Sequence, residues 1–208
     1  MANDVDWRKK MKETIKWVAN PSASSDYAPA ALFGQAKAKQ VQHYHQSFPS
    51  YAPTALQDLN SLAKTLGIGK FFVKDESTRF GLNAFKGLGG SFCIGKYLAG
   101  KLNIPEKELT FQKLQSDEVK KSVEAATFVT ATDGNHGRGI AWTAHELGLK
   151  AVVYMPKGSA RERLVNIRKL GAEAEITELN YDDTVRYAAE CERKYGWVLV
   201  QDTAWEGY

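Results

Sequence analysis

Cysteine is scarce: two in 208 residues, Cys93 and Cys191. They lie far apart and form no Cys-x-x-Cys pair, which excludes a disulfide framework and a thiolate metal site and points to a reducing compartment. Histidine is scarce too, with four residues in all. The pair in "HYH", His43 and His45, has no third ligand nearby, so a metal centre does not follow. No apolar run approaches the roughly 20 residues that a membrane-spanning helix needs. The opening "MANDVDWRKK" has acids where a secretory leader has bases, and no apolar core follows it. Lys and Arg are interleaved with Asp and Glu, so the net charge of +4 is not gathered into a nucleic-acid surface. Internal repeats and low-complexity tracts are lacking as well. Together these absences imply a cytoplasmic, soluble protein without nucleic-acid or membrane partners.

What is present is an ordinary globular balance, 43% hydrophobic and 25% charged. It is enough for one domain or two small ones. Residues 20–34, "NPSASSDYAPAALFG", read as an irregular arm. Thr54 is placed to cap a helix carrying Leu56, Leu59, Leu62, Ala63 and Leu66 on one face, stopped by Gly67 and Gly69. "KFFVKDE" reads as a short strand, and a long helix is expected from about Asn83. "LTFQKLQSDEVKKSVEAA" suggests two short helical pieces. Then strands and helices alternate: "ATFVTAT", "NHGRGIAWTAHELG", "KAVVYMP", "SARERLVNIRKLG", "AEAEITEL", "YDDTVRYAAECERKYG" and "WVLVQDT". Such alternation predicts an α/β fold, an open parallel sheet with helices on both faces. A final strand so near Tyr208 is odd for a complete α/β protein, and the chain is expected to be the front part of something longer.

Ligands of open parallel sheets bind beyond the carboxyl ends of the strands. Three polar or small-residue stretches are placed at such ends: "KDESTRFGLNAFK", "TDGNHGRG" and "QDTAWEGY". In the first, Lys86 stands between Phe85 and the glycines of "GLGG". Most lysines are simply solvated. This one is expected near a helix start in a small, apolar setting, where dipole and burial both disfavour the charged amine, as a Schiff-base lysine requires. In the second, Asp133 or Asn135 is expected to cap a helix. Gly134 and Gly137 suggest close approach of a flat or anionic ligand, while His136 reads as structural. Asp202 is either a turn residue or a site acid. "GLGG" as a nucleotide loop is weak, because it follows a helix start rather than a strand.

"NAFKGLGG" resembles the Ser-Phe-Lys motif of the pyridoxal-phosphate enzymes built like the tryptophan synthase β-subunit, the fold type II group of threonine dehydratase and cysteine synthase. "TDGNHGRGIAW" is similar to their Ser-x-Gly-Asn-His-Gly loop, and "YAPTAL" to their Tyr-x-Pro-Thr-Pro-Leu. Two departures, Ala84 for the usual serine and Asp133 for Ser or Ala, together with "NYDDTVR" and "VQDTAWEGY", resemble a narrower family, 2,3-diaminopropionate ammonia-lyase.

The resemblance implies pyridoxal 5'-phosphate as cofactor, held covalently by Lys86 and touched by Phe85, Gly134 and Asn135, with Asn135 on its phenolic oxygen. It implies elimination of ammonia from diaminopropionate, with pyruvate and a second ammonia as end products. The family accepts both enantiomers. Lys86 is therefore assigned as base for the L isomer, Asp133 for the D isomer, and Asp202 as a helper. It implies a homodimer acting in amino-acid catabolism. By analogy, residues 1–101 belong to the large domain, 102–198 to the small one, and 199–208 begin the return. Family members are longer, and hold the cofactor phosphate and pyridine nitrogen in their second half. This chain alone is therefore expected to bind the cofactor weakly and to be inactive. The rival readings are a serine or threonine dehydratase and a non-catalytic Rossmann-like binding module.

Overall fold

The computed structural model describes residues 33–123 and 126–203. Most of the arm expected at 20–34, and the residues after Thr203, lie outside them. Four parallel strands form the main sheet: β3 (Thr127–Ala131), β4 (Lys150–Met155), β5 (Glu173–Ile176) and β6 (Val198–Leu199), in the order β5-β4-β3-β6. Register places Phe128 beside both Ala151 and Val198, and Val153 beside Ala174. Alternate residues of each strand point to opposite faces. Phe128, Ala151, Val153 and Met155 join one core, while Val129, Ala131, Val152 and Tyr154 join a second. The helices α6 (Asn135–Leu147) and α7 (Arg161–Arg168) cover the first face, and α8 (Tyr181–Tyr195) the second, through Ala188 and Cys191. Gly148 and Gly196, both left-handed, close α6 and α8. The alternation read from the sequence is this sheet.

The segment before it departs from expectation. Leu56 does not start a helix. Leu56–Asp58 is strand β1, paired antiparallel with β2 (Phe72–Lys74), and the helix between them, α2, begins only at Asn60 and runs to Leu66. "FFV" therefore belongs to a two-stranded ribbon, not to the parallel sheet. Thr54 cannot cap a helix because its hydroxyl is engaged elsewhere. It donates to Glu76 and accepts from Arg79 Nη2 at 2.9 Å.

Arg79 is the hub of this corner. Buried at 5% exposure, it donates to both Glu76 oxygens, at 2.7 and 3.1 Å, and to the Ala52 carbonyl at 2.8 Å. The Arg79 hydrogen bond draws the Glu76 carboxyl from its ordinary 4.5 down to about 2; burial opposes the shift, and the Thr54 hydroxyl and the charges of Arg79 and Lys74 assist it. The sign of the pH dependence follows. A depressed carboxylate contributes stability that is complete above about pH 4.5 and is lost as pH falls toward about 2. Arg79→Met strands a carboxylate in the corner and is expected to cost about 3 kcal/mol in urea unfolding at pH 7. The difference from the parent protein should shrink below pH 4. A pH-independent difference would assign the loss to packing instead.

The remaining front elements are α1 (Gln35–Gln46), α3 (Lys86–Lys101), α4 (Phe111–Leu114) and α5 (Asp117–Val123). An aromatic cluster sits beside α3. Phe80 stacks on Trp142 with ring centroids 4.4 Å apart, and Phe48 contacts both rings. Tyr44 donates to the Ser91 carbonyl at 2.9 Å, and His45 Nε2–H donates to the Leu88 carbonyl at 2.9 Å. His45 is thus a buried partner of α3. Among the described residues, no helix is long and apolar enough to cross a membrane, and no cluster of three metal-ligating side chains occurs.

Candidate active site

Lys86 is the first residue of α3, not a residue one turn inside it, because Asn83 holds φ at +51° and delays the helix. Its height is set by α6. At Gly139 the α6 backbone passes so close that a Cβ would stand 3.0 Å from Lys86 C and O and from Gly87 N. Gly90 makes a similar approach to Ile140 from the α3 side. "GLGG" is thus a helix-packing face. Arg138 Nη1 ties the preceding loop to α6 through the Leu82 carbonyl, at 2.8 Å.

The Lys86 side chain does not enter the apolar enclosure expected of it. Its ammonium donates to Asp202 Oδ2 at 2.7 Å, with the two side chains 35% and 26% exposed. The exposed Phe85 ring lies 5.8 Å from Nζ. Asp202 follows β6 at the carboxyl end of the sheet. Burial, the largest influence, pushes its carboxyl up. The Lys86 hydrogen bond, the charges of His136 and Lys86 and its own backbone N–H together outweigh burial and hold it below the ordinary value.

The β3–α6 turn brings the second group of residues. Neither Asp133 nor Asn135 caps α6. Thr132 Oγ1 does that work, accepting from Gly134 N at 3.0 Å and Gly137 N at 3.2 Å. Gly134, the residue before the helix, has φ +158° and ψ −76°, a conformation L side chains rarely adopt, and a Cβ there would strike Arg163 Cδ at 2.8 Å. Asn135 opens α6 with its side chain exposed. Asp133 is 76% exposed and faces Arg163, whose Nη1 lies 3.7 Å from its carboxylate and donates to its carbonyl at 2.8 Å. His136 is buried, and its Nε2–H donates to the Val200 carbonyl at 2.9 Å. Burial, then the Lys86 charge, keep its imidazole below the ordinary value against the Val200 bond and Asp202.

Lys86 and Asp202 are therefore in direct contact, with the Phe85 ring near the Lys86 ammonium and His136 adjoining the pair electrostatically. Asp133 is held by Arg163, with Gly134 and Asn135 next to it in the same turn. Thr132, Arg163 and Gln201 were not singled out from the sequence. Thr132 could have been, as a hydroxyl residue one turn before the first buried residues of α6.

The chain matches the family model "Pyridoxal-phosphate dependent enzyme" over residues 48–208. It belongs to that family. Among curated proteins it is 52% identical over 200 residues to the diaminopropionate ammonia-lyase of Salmonella typhimurium, covering 95% of this chain and 50% of that protein. It is 51% identical over 177 residues to the Escherichia coli enzyme of that name, covering 85% of this chain and 44% of that protein. The chain thus spans about half the length of the curated relatives it matches. The crystal structure of apo Escherichia coli diaminopropionate ammonia-lyase superposes with a TM-score of 0.81 at 49% identity, over 89% of this chain and 49% of that one. Processed threonine deaminase isoform 2 of Solanum lycopersicum shares the fold alone, with a TM-score of 0.58 at 19% identity over 84% of this chain and 43% of that one.

Membership in the pyridoxal-phosphate family gives the cofactor, and the residues fit its aldehyde end. Lys86 offers a primary amine that is anchored at its base by the Gly139 contact and one-third open at its tip. Gly134, expected to meet a flat ring, is instead buried at the start of α6, with the Arg163 side chain in the space beside its Cα. Asn135 presents an exposed amide beside it.

Proposed function

We propose that this chain, as part of a protein of its relatives' full length, eliminates ammonia from 2,3-diaminopropionate with pyridoxal phosphate, giving pyruvate and ammonia, and that alone it is inactive. The observation that carries this reading is the pairing of the Lys86 ammonium with Asp202 beside an α6 turn that also carries Asp133. Carboxylates for a diamino acid follow the neighbouring strands β3 and β6, and an amine for the cofactor meets one of them from the start of α3. The named relatives support the same reaction, and one structure of the Escherichia coli enzyme is titled as a complex with D-serine.

When bound, pyridoxal phosphate supplies the electron sink for charge developing at Cα. Lys86 would hold its aldehyde, with Asn135 as donor to its ring oxygen and Phe85 and Gly134 beside the ring. The Lys86 amine would take the Cα proton of the L isomer, and the Asp133 carboxylate that of the D isomer. Asp202 accepts from the Lys86 ammonium and so favours the proton's staying on the lysine. The carboxylates favour the second ammonium of a diamino acid over the hydroxyl of serine or threonine, because a charge pair gains more than a neutral bond in a sheltered site.

On the same reading, residues 1–101 contribute to a large domain, 102–198 form a small one and 199–208 lead back. The working unit is a homodimer in the cytoplasm serving amino-acid catabolism. A substrate panel tests the activity. Both enantiomers of diaminopropionate should yield their 2-oxo acid at least about tenfold more efficiently in kcat/KM than serine or threonine, the factor that one charged contact of about 1.4 kcal/mol confers. A preference for serine or threonine would make the protein a dehydratase of the same fold.

A further inference from the structure

β6 leaves the sheet abruptly. Val129 is opposite Leu199, and the ladder continues for one more bond, from Val200 N to the Val129 carbonyl at 2.9 Å. A regular parallel ladder would next join Ala131 N to the Val200 carbonyl and the Ala131 carbonyl to Asp202 N. Neither partner is used. The Gln201 side chain fills both places. Its Oε1 accepts from Ala131 N at 3.1 Å and its Nε2 donates to the Ala131 carbonyl at 2.8 Å. The Thr130 hydroxyl donates to the same Oε1 at 3.1 Å. A carboxamide has the same donor and acceptor as a peptide group, so it closes the end of β3 without the strand being there.

The residues thus released are used at the site. The Val200 carbonyl accepts from buried His136 Nε2–H at 2.9 Å. Asp202 leaves the ladder, and its Oδ2 meets Lys86 Nζ at 2.7 Å. Had β6 continued in register, Asp202 would be fixed in the sheet with its amide spent on Ala131.

We propose that Gln201 is a positioning residue: its carboxamide replaces the backbone of residues 200 and 202 on Ala131, diverts the chain out of the sheet and so aims Asp202 at Lys86. This goes beyond the proposed reaction and uses it only for the meaning of the Lys86–Asp202 pair. The geometry is testable without cofactor or substrate.

The test is trace acylation of the protein by acetic anhydride over a pH series. Labelling of Lys86 is read by mass spectrometry against that of exposed Lys120. Asp202→Asn should raise Lys86 labelling near neutral pH by about two- to fivefold, the range for a half-exposed ion pair. Gln201→Leu should raise it equally, and Gln201→Leu with Asp202→Asn should raise it no further. Parent-level labelling in Gln201→Leu, or a double variant showing the product of the two effects, overturns the proposal. If Gln201→Leu loosens the whole fold, all lysines rise together, and Gln201→Glu is read instead. Glutamate keeps the acceptor for Ala131 N but puts a carboxylate against the Ala131 carbonyl. A rise confined to Lys86 supports the positioning role, and parent-level labelling overturns it. These outcomes stand apart from the reaction itself: a protein that fails the substrate panel can still pass this test, and the reverse.

Discussion

In a protein of the relatives' full length, Lys86→Ala is expected to abolish the near-visible absorption of the bound cofactor and its trapping by borohydride, and to lower elimination by at least about 10³-fold. The size follows from two losses in one side chain: the amine that holds the aldehyde, and the base for the L isomer. The fold should survive. Lys86 is one-third exposed, and its helix is held by the Gly139 contact and the aromatic cluster rather than by the ammonium. Asp202 reports the loss independently. Without the Lys86 hydrogen bond and charge, burial is opposed by less, and the carboxyl should titrate nearer its ordinary value, seen by carbon-13 shift of the side chain. An intact absorption band in the variant would mean that another lysine holds the cofactor.

Asp133→Asn should separate the enantiomers. It removes the proposed base for the D isomer and leaves Lys86 for the L isomer. The D rate should fall about 10²–10⁴-fold, with the L rate changed by less than about tenfold. Arg163 makes the comparison clean. Its bond to the Asp133 carbonyl is unaffected by the substitution, so the turn keeps its shape. Equal losses on both isomers would instead assign Asp133 to holding the β-ammonium, a contact the two isomers share.

The parts of the fold legible in the sequence are those where one physical rule acts alone. The buried runs "TFVTA" and "AVVYM", each followed by a helical pattern closed by glycine, can only be packed as parallel strands under helices. The Thr54–Leu66 segment was misread because two rules competed. A hydroxyl before a periodic leucine pattern is a cap signal, but Arg79 and Glu76, more than twenty residues on, claim that hydroxyl, and β2 claims Leu56–Asp58. Lys86 was legible from its neighbours, and its surroundings were not. Nothing near it in sequence tells that a carboxylate 116 positions away supplies its partner. Gln201 was invisible for a related reason. A carboxamide standing in for backbone looks, in sequence, like any strand-end glutamine.

The meeting of Gly139 with the Lys86–Gly87 peptide is a contact of main chain with main chain, and it divides the neighbourhood into forgiving and unforgiving positions. A group that crowds the rings of Phe48, Phe80 and Trp142 meets atoms that can turn about side-chain torsions. A single methyl at position 139 meets peptide atoms at 3.0 Å, which cannot rotate aside. The register of the reactive amine is therefore gauged by a residue with no side chain, as a spacer gauges the gap between two plates.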